Sequence, residues 1–275
     1  MLDQVKPWEN VRLCGEDIKR GALLAASGEV MTPGLLSLLA ANGIGEVKVG
    51  RQPRVGLLAT GSELREPGQS LAPGQIYESN RPALLALIRR AGGQPRVWPL
   101  VQDTFEATRQ ALKAAFDQCD IVVTSGGVSV GEMDFVKQAF EEIKGTLELW
   151  KVNIKPGRPF VFGRCEDKLL FGLPGNPVSA LVTFLLLVRP ALLRWQGAVD
   201  ASLPSHPAVL IESLENRGDR PHFVRVKVDS SGRVASAGVQ ASHRLRSLAA
   251  ASGLVRVPPQ TVLAAGTAVQ VSRWE

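Results

Sequence analysis

The chain has 275 residues, 45% of them hydrophobic and 21% charged, which is enough for one large or roughly two to three small cores in a soluble globular protein. Its longest apolar run, residues 180–188, falls short of the roughly 20 residues that span a bilayer, and the acid-bearing residues 1–10 do not form a signal peptide. A net charge of +6 suits anionic small-molecule partners, while the lack of a lysine block and the single tyrosine argue against nucleic acid as a partner. Cys14, Cys119 and Cys165 are widely spaced and form no Cys-x-x-Cys pair, which fits a reducing cytoplasm and not structural zinc.

Residues 1–53 read as a small α/β linker segment. Val11-Arg12-Leu13 has the character of a strand, and residues 29–41 that of a helix opened by Thr32-Pro33 and closed by Asn42-Gly43. Glu46-Val47-Lys48-Val49 alternates as a strand should. Arg51-Gln52-Pro53 is a linker. From Arg54 the rhythm changes: strands are expected at 55–59, 97–101, 121–124 and 168–172, and helices at 80–91, 104–116, 134–144 and 177–188. Asn80 is the expected cap of the first of these helices and Gly92-Gly93 its stop. Such alternation predicts parallel βαβ units in one α/β domain over 54–197, its sheet covered on both faces. Beyond Gly197, short alternating stretches such as 223–228 and 254–257 predict a small β domain over 204–275 that could close into a barrel.

Ligands of an open parallel sheet bind outside the carboxyl ends of its strands. The residues there are polar and glycine-bearing: Thr60-Gly61-Ser62-Glu63, then Gln102-Asp103, then Ser125-Gly126-Gly127 leading to Asp134, and finally Pro174-Gly175-Asn176-Pro177. Paired glycines let backbone N–H groups converge on an oxyanion. Glu63 and Asp103, taken singly, are equally compatible with solvated loop acids. Asn176-Pro177 is compatible both with plain helix-start chemistry and with a helix N-terminus facing an anion. In Trp150-Lys151-Val152-Asn153-Ile154-Lys155, alternation puts Lys151 and Lys155 on one side of an edge strand with Arg158 beyond it, either a solvated face or a clamp for a dianion. Carboxylates, lysines and a glycine bend on one rim would suit a divalent cation assisting a phosphorylated substrate. Walker A, Gly-x-Gly-x-x-Gly, Gly-x-Ser-x-Gly and His-Glu-x-x-His motifs are absent, and His206, His222 and His243 are scattered.

Four segments in order, Thr60-Gly61-Ser62-Glu63-Leu64, residues 124–134, Ile154-Lys155-Pro156-Gly157-Arg158-Pro159 and Gly172-Leu173-Pro174-Gly175-Asn176-Pro177-Val178-Ser179, resemble the signature segments of the molybdopterin molybdenumtransferases. The resemblance continues through Gly15-Glu16-Asp17-Ile18 upstream and through Asp219-Arg220-Pro221-His222-Phe223-Val224-Arg225 and Ser242-His243 downstream. It implies a three-layer αβα molybdopterin-binding domain with a mostly parallel sheet, flanked by the small N-terminal α/β segment and a C-terminal β-barrel-like domain. It also implies insertion of molybdate into adenylylated molybdopterin, with magnesium as cofactor and AMP as leaving group.

Carried over residue by residue, the resemblance makes Glu63, Asp103, Asp134, Lys151 and Lys155 the catalytic set, with Glu63 and Asp103 holding magnesium. Ser125, Gly126, Gly127, Pro174, Asn176 and Pro177 would contact the pterin phosphate and nucleotide. Arg158, Ser179, Arg225 and Ser242 would meet molybdate or phosphate, and Asp17 would enter the cleft of a neighbouring subunit in a homodimer. His222 stands where the family usually has an acid. Family members also begin with further segments, including a separate domain that contributes cleft residues. The expectation is therefore a fragment, a short paralogue or one half of a split enzyme, with a separate N-terminal domain chain or a molybdopterin adenylyltransferase as further partner. The alternatives are a molybdopterin adenylyltransferase and a non-catalytic molybdopterin-binding or scaffold module.

Overall fold

The apolar runs of the central segment pair into one six-stranded sheet in the computed structural model, which describes residues 6–128 and 135–274. The strands β1 (Arg54–Ala59), β2 (Gln94–Val97), β3 (Ile121–Ser125), β4 (Thr146–Trp150), β5 (Val161–Cys165) and β6 (Lys168–Leu173) lie in the order β2-β1-β3-β6-β5-β4. The first four in that order are parallel, and β5 and β4 close one edge antiparallel. Side chains alternate across a strand. Val55, Leu57, Ile121, Val123, Phe171 and Leu173 therefore face α2 (Asn80–Arg90) and the helical run that starts at Pro177. Leu58, Val122 and Leu170 face α3 (Phe105–Gln118) and α4 (Phe135–Glu142) on the other side. The result is the expected three-layer αβα arrangement.

Local deviations have local causes. The strand expected at 97–101 is β2, ending at Val97: Pro99 has no N–H to donate, and pairing resumes only as a single bridge between Val101 and Thr60. The helix from Pro177 does not stop at 188. It runs as α5 (Pro177–Thr183), a π turn (Phe184–Val188) and α6 (Arg189–Trp195). Pro190 would crowd the carbonyl one turn back, and the wider π turn relieves that clash. With 19 residues and a mean hydropathy of 1.6 the run is long and apolar enough to cross a bilayer by composition; in this fold Ala180, Phe184, Val188 and Leu192 are buried against the sheet.

The described part of the N-terminal segment is not α/β. Among the described residues before Arg54 the one regular element is α1 (Pro33–Ala41), with Thr32 Oγ1 accepting from the Leu35 N–H at 3.2 Å. The strands expected at 11–13 and 46–49 do not form, because no described segment pairs with them, and Val47 and Val49 stand exposed. The linker is anchored: Arg51 and Arg54 form ion pairs with the buried Asp120 at 2.9 and 3.1 Å, tying the start of β1 to the end of α3. Burial alone would raise the Asp120 pKa, but hydrogen bonds from Arg54 and Arg51 outweigh it and hold the group well below the usual carboxylate range.

The C-terminal strands β7 (Ser205–Leu210), β8 (His222–Val228), β9 (Arg233–Ser236), β10 (Gly253–Val257) and β11 (Ala268–Arg273) form a closed barrel in the order β8-β9-β7-β11-β10, filled by Leu210, Val224, Val226, Val234, Val255 and Val271. The loop after β4 joins it to the sheet. The Lys155 N–H donates to the Pro221 carbonyl at 2.9 Å and the Phe223 N–H donates to the Lys155 carbonyl at 2.7 Å.

His222 sits between these two bonds, buried, with neither ring nitrogen partnered among the described residues. Burial, with Lys155 and Arg225 beside it, pushes its imidazole down to about 4. An unfolded histidine titrates near pH 6.5. The folded state therefore disfavours the proton, and stability is full above that pH and lost as pH falls toward 4. This residue alone is expected to remove about 2 kcal/mol between pH 7 and pH 5. Urea unfolding of wild type and H222Q at both pH values measures it: the wild type should lose more by that amount, and equal losses would refute the assignment.

Candidate functional site

A cavity of about 650 Å³ opens at the carboxyl ends of β1, β3 and β6, within the usual size range of small-molecule sites. The loop after β1 contributes Thr60, Gly61 and Glu63; the Glu63 carboxylate folds back so closely that a Cβ on Gly61 would lie 2.8 Å from its Oε2. Asp103 enters from the turn before α3. That helix is capped by the neighbouring Thr104, whose hydroxyl accepts from the Ala107 N–H at 3.3 Å, so Asp103 has no capping role. Neither Glu63 nor Asp103 has an ion-pair partner among the described residues.

The Ser125-Gly126-Gly127 turn is the backbone of the site. Gly126 and Gly127 have φ of 86° and 68°, a left-handed pair that side chains resist. The Gly126 N–H donates to the Leu173 carbonyl at 3.1 Å and locks the turn to β6, while the Gly127 N–H has no partner among the described residues. Opposite lies Pro174-Gly175-Asn176-Pro177. Asn176 occupies the cap position of α5 without a side-chain capping bond, and the Ser242 carbonyl instead accepts from the Val178 N–H at 3.1 Å. The Asn176 side chain is thus free for a ligand, which removes half of the plain helix-start reading.

Two residues at the head of α2 tie these loops together. Asn80 is buried and is not the expected cap; its Nδ2 donates at 2.8 Å to both Ser125 Oγ and the Gly175 carbonyl. The capping is done by the buried Glu78, whose Oε1 accepts from the N–H groups of Asn80 and Arg81 at 2.7 and 2.9 Å, while Oε2 pairs with Arg81 Nε at 3.1 Å. Arg81 is itself buried and also holds the Trp98 carbonyl and Glu66. The detectable signal was Glu78-Ser79-Asn80-Arg81, a polar tetrad with opposite charges three apart directly before an apolar helix.

The basic residues assigned to the oxyanion do not line the cavity. Only Pro159 of the 151–160 loop reaches it. β4 stops at Trp150, where Lys151 adopts a φ of 74°, so the expected edge strand over 150–155 is a loop; Lys151, Lys155 and Arg158 remain exposed at its surface, without ion-pair partners among the described residues. Arg225 is set back from the cavity. It lies fully buried and does not line the cavity; Nε donates to Ser247 Oγ at 3.1 Å and Nη2 to the carbonyls of Val239 and Ala241, bracing the loop that carries Ser242, His243 and Leu245, while Nη1 has no partner among the described residues. From that loop His243 and Leu245 line the cavity, whereas Ser242 contributes its carbonyl to α5. Ser179 is buried inside α5 away from the cavity, and Asp17 is exposed in the N-terminal segment. Asp134 lies outside the described residues.

No group of three His, Cys, Asp or Glu able to cage a metal occurs among the described residues. Glu63 and Asp103, both lining the cavity, are the carboxylates available to hold magnesium, which is commonly bound by one or two carboxylates with substrate phosphate and water completing the shell.

Residues 56–194 match the model of a probable molybdopterin binding domain, and residues 207–274 that of the MoeA C-terminal region, domain IV. The chain is 43% identical over 243 residues to a molybdopterin molybdenumtransferase of Haemophilus influenzae, covering 86% of this chain and 60% of that protein. It is 40% identical to molybdopterin molybdenumtransferase 2 of Mycobacterium tuberculosis, covering 99% and 68% respectively. A molybdopterin biosynthesis MoeA protein of Pyrococcus horikoshii superposes with a TM-score of 0.82 at 34% identity, covering 95% of this chain and 64% of that one. The chain thus spans about three fifths to two thirds of the length of these relatives. It belongs to the molybdopterin molybdenumtransferase family.

Proposed function

We propose that this protein inserts molybdate into adenylylated molybdopterin and releases AMP. The observation that carries the reading is the convergence on one cavity of Glu63 and Asp103, the Gly126-Gly127 turn, the Pro174–Pro177 loop and, from the barrel, His243 and Leu245. An α/β unit acting alone, as in the adenylyltransferase alternative, would lack that last wall.

In this reading the Gly127 N–H and the Asn176 amide hold phosphoryl oxygens of the substrate. Lys151, Lys155 and Arg158 draw molybdate toward the rim as point charges on an exposed approach path. Glu63 and Asp103 are the residues that would hold magnesium, which neutralises phosphate charge when bound; the family resemblance adds Asp134 to them. A molybdate oxygen attacks the adenylate phosphorus, the bond to the molybdopterin phosphate breaks, and AMP departs with that oxygen. The two dithiolene sulfurs bind the metal, and their protons leave with a second molybdate oxygen as water. The protein would work in the cytoplasm as a homodimer, with Asp17 facing the neighbouring cleft and an adenylyltransferase supplying its substrate.

Incubation of the purified chain with adenylylated molybdopterin, molybdate and magnesium should release AMP in proportion to the molybdate supplied, and D103N should slow release about a hundredfold. Binding without AMP release would identify a non-catalytic module. ATP consumption with free molybdopterin would identify an adenylyltransferase.

A further inference from the structure

We propose that a second, smaller cavity between the α/β unit and the barrel is a binding site for a tetrahedral oxyanion, either inorganic phosphate or the phosphoryl end of a small ligand. It has a volume of about 130 Å³ and shares no lining residue with the site above. Arg90 reaches it from the last turn of α2, Arg189 from the start of α6 and Arg273 from the end of β11. Leu87, Phe184 and Trp274 supply apolar walls.

Three guanidinium groups from three separate elements around one small space repel one another, so the arrangement gains from an anion between them. Among the described residues no acid lines the cavity. The acid acting on Arg189 through space, Asp200, is hydrogen bonded to Ser202 and forms no ion pair with these arginines among the described residues. Arg189 is held in place by donating Nη1 to the carbonyls of Ala201 and Ser202 at 2.9 and 3.0 Å. Arg273 lines the cavity, and its buried Nε has no hydrogen-bond partner among the described residues. Buried donors in native proteins are seldom left unmade, and a planar fork of donors matches phosphate oxygens.

Size narrows the ligand. The space suits a single phosphoryl group, with the remainder of any larger ligand lying outside it. Because Arg90 and Arg189 belong to the α/β unit and Arg273 to the barrel, the bound anion would clamp the two together.

Calorimetric titration of the full chain with inorganic phosphate and with methyl phosphate, at ionic strength held constant with chloride, tests this. Saturable binding to the wild type is expected, weakened at least tenfold in R273M and in R90M and unchanged in K113M, which removes an exposed cation of α3 that lines neither cavity. R90M, at an exposed helix end, carries the test if R273M fails to fold. Equal affinity for methyl phosphate assigns the site to a phosphoryl end, and weaker affinity assigns it to the free ion. Absence of phosphate binding to the wild type, retention of affinity in R90M and R273M, or loss in K113M would overturn the proposal while leaving the molybdate-insertion reading untouched.

Discussion

Replacing Glu78 by alanine is expected to destabilise the protein by about 3–5 kcal/mol, the range for breaking a buried ion pair from one side. Three donors lose their acceptor at once: the N–H groups of Asn80 and Arg81 and the Arg81 Nε. Arg81 is left buried with Glu66, which is 44% exposed and a poor substitute. The loss also propagates to the site. Asn80 can hold Ser125 and Gly175 together only while the head of α2 is fixed, so ligand binding should fall with stability. E78Q retains an acceptor for the two N–H groups and should lie between. E66A, which removes only the exposed partner, should cost no more than about 1 kcal/mol. Urea unfolding of the three variants decides the matter; an E78A protein within about 1 kcal/mol of wild type would mean that Glu78 does not anchor the helix.

The second large effect is expected at Gly126. A Cβ there would stand 2.6 Å from the Thr60 carbonyl oxygen, and Thr60 is itself hydrogen bonded into the sheet through its N–H to the Ser125 carbonyl. Neither strand can yield, so the turn must move toward the cavity. G126A should cost of order 1–3 kcal/mol in stability and weaken binding of adenylylated molybdopterin about a hundredfold, the consequence of displacing a positioning loop by about an ångström. Gly232 supplies the control: its φ of 75° imposes similar backbone strain, but nothing lies within 4 Å of its Cβ position. G232A should show the strain without the binding defect. If both variants bind equally well, the paired-glycine turn does not shape the site.

The parts of the molecule legible in the sequence are those specified locally. Continuous apolar runs marked β1, β3 and β6, and glycines directly after them marked the loops at their carboxyl ends, so Glu63, Asp103, Ser125–Gly127 and Pro174–Pro177 could be gathered onto one rim from chain order alone. The parts that were not legible depend on partners far along the chain. Asn80 bonds residues 45 and 95 positions away, and nothing in its neighbours distinguishes that from capping. Arg225 lies on a strand whose alternation is clear, yet which of its faces meets the braced 239–247 loop follows only from barrel closure. Glu46-Val47-Lys48-Val49 has the right alternation for a strand and no neighbour to pair with, and alternation without a partner makes no strand.

The long helix after the site holds one further consequence. Its sheet-facing residues Ala180, Phe184, Val188 and Leu192 repeat every fourth position. At 3.6 residues per turn each such step overshoots a full revolution by about 40°, so three steps would carry Leu192 roughly 120° around the axis from Ala180. The extra residue accommodated between Phe184 and Val188 takes back most of that angular drift. A stripe that would otherwise spiral off the core stays in phase with it, and Arg189 is delivered to its own side of the helix as a result.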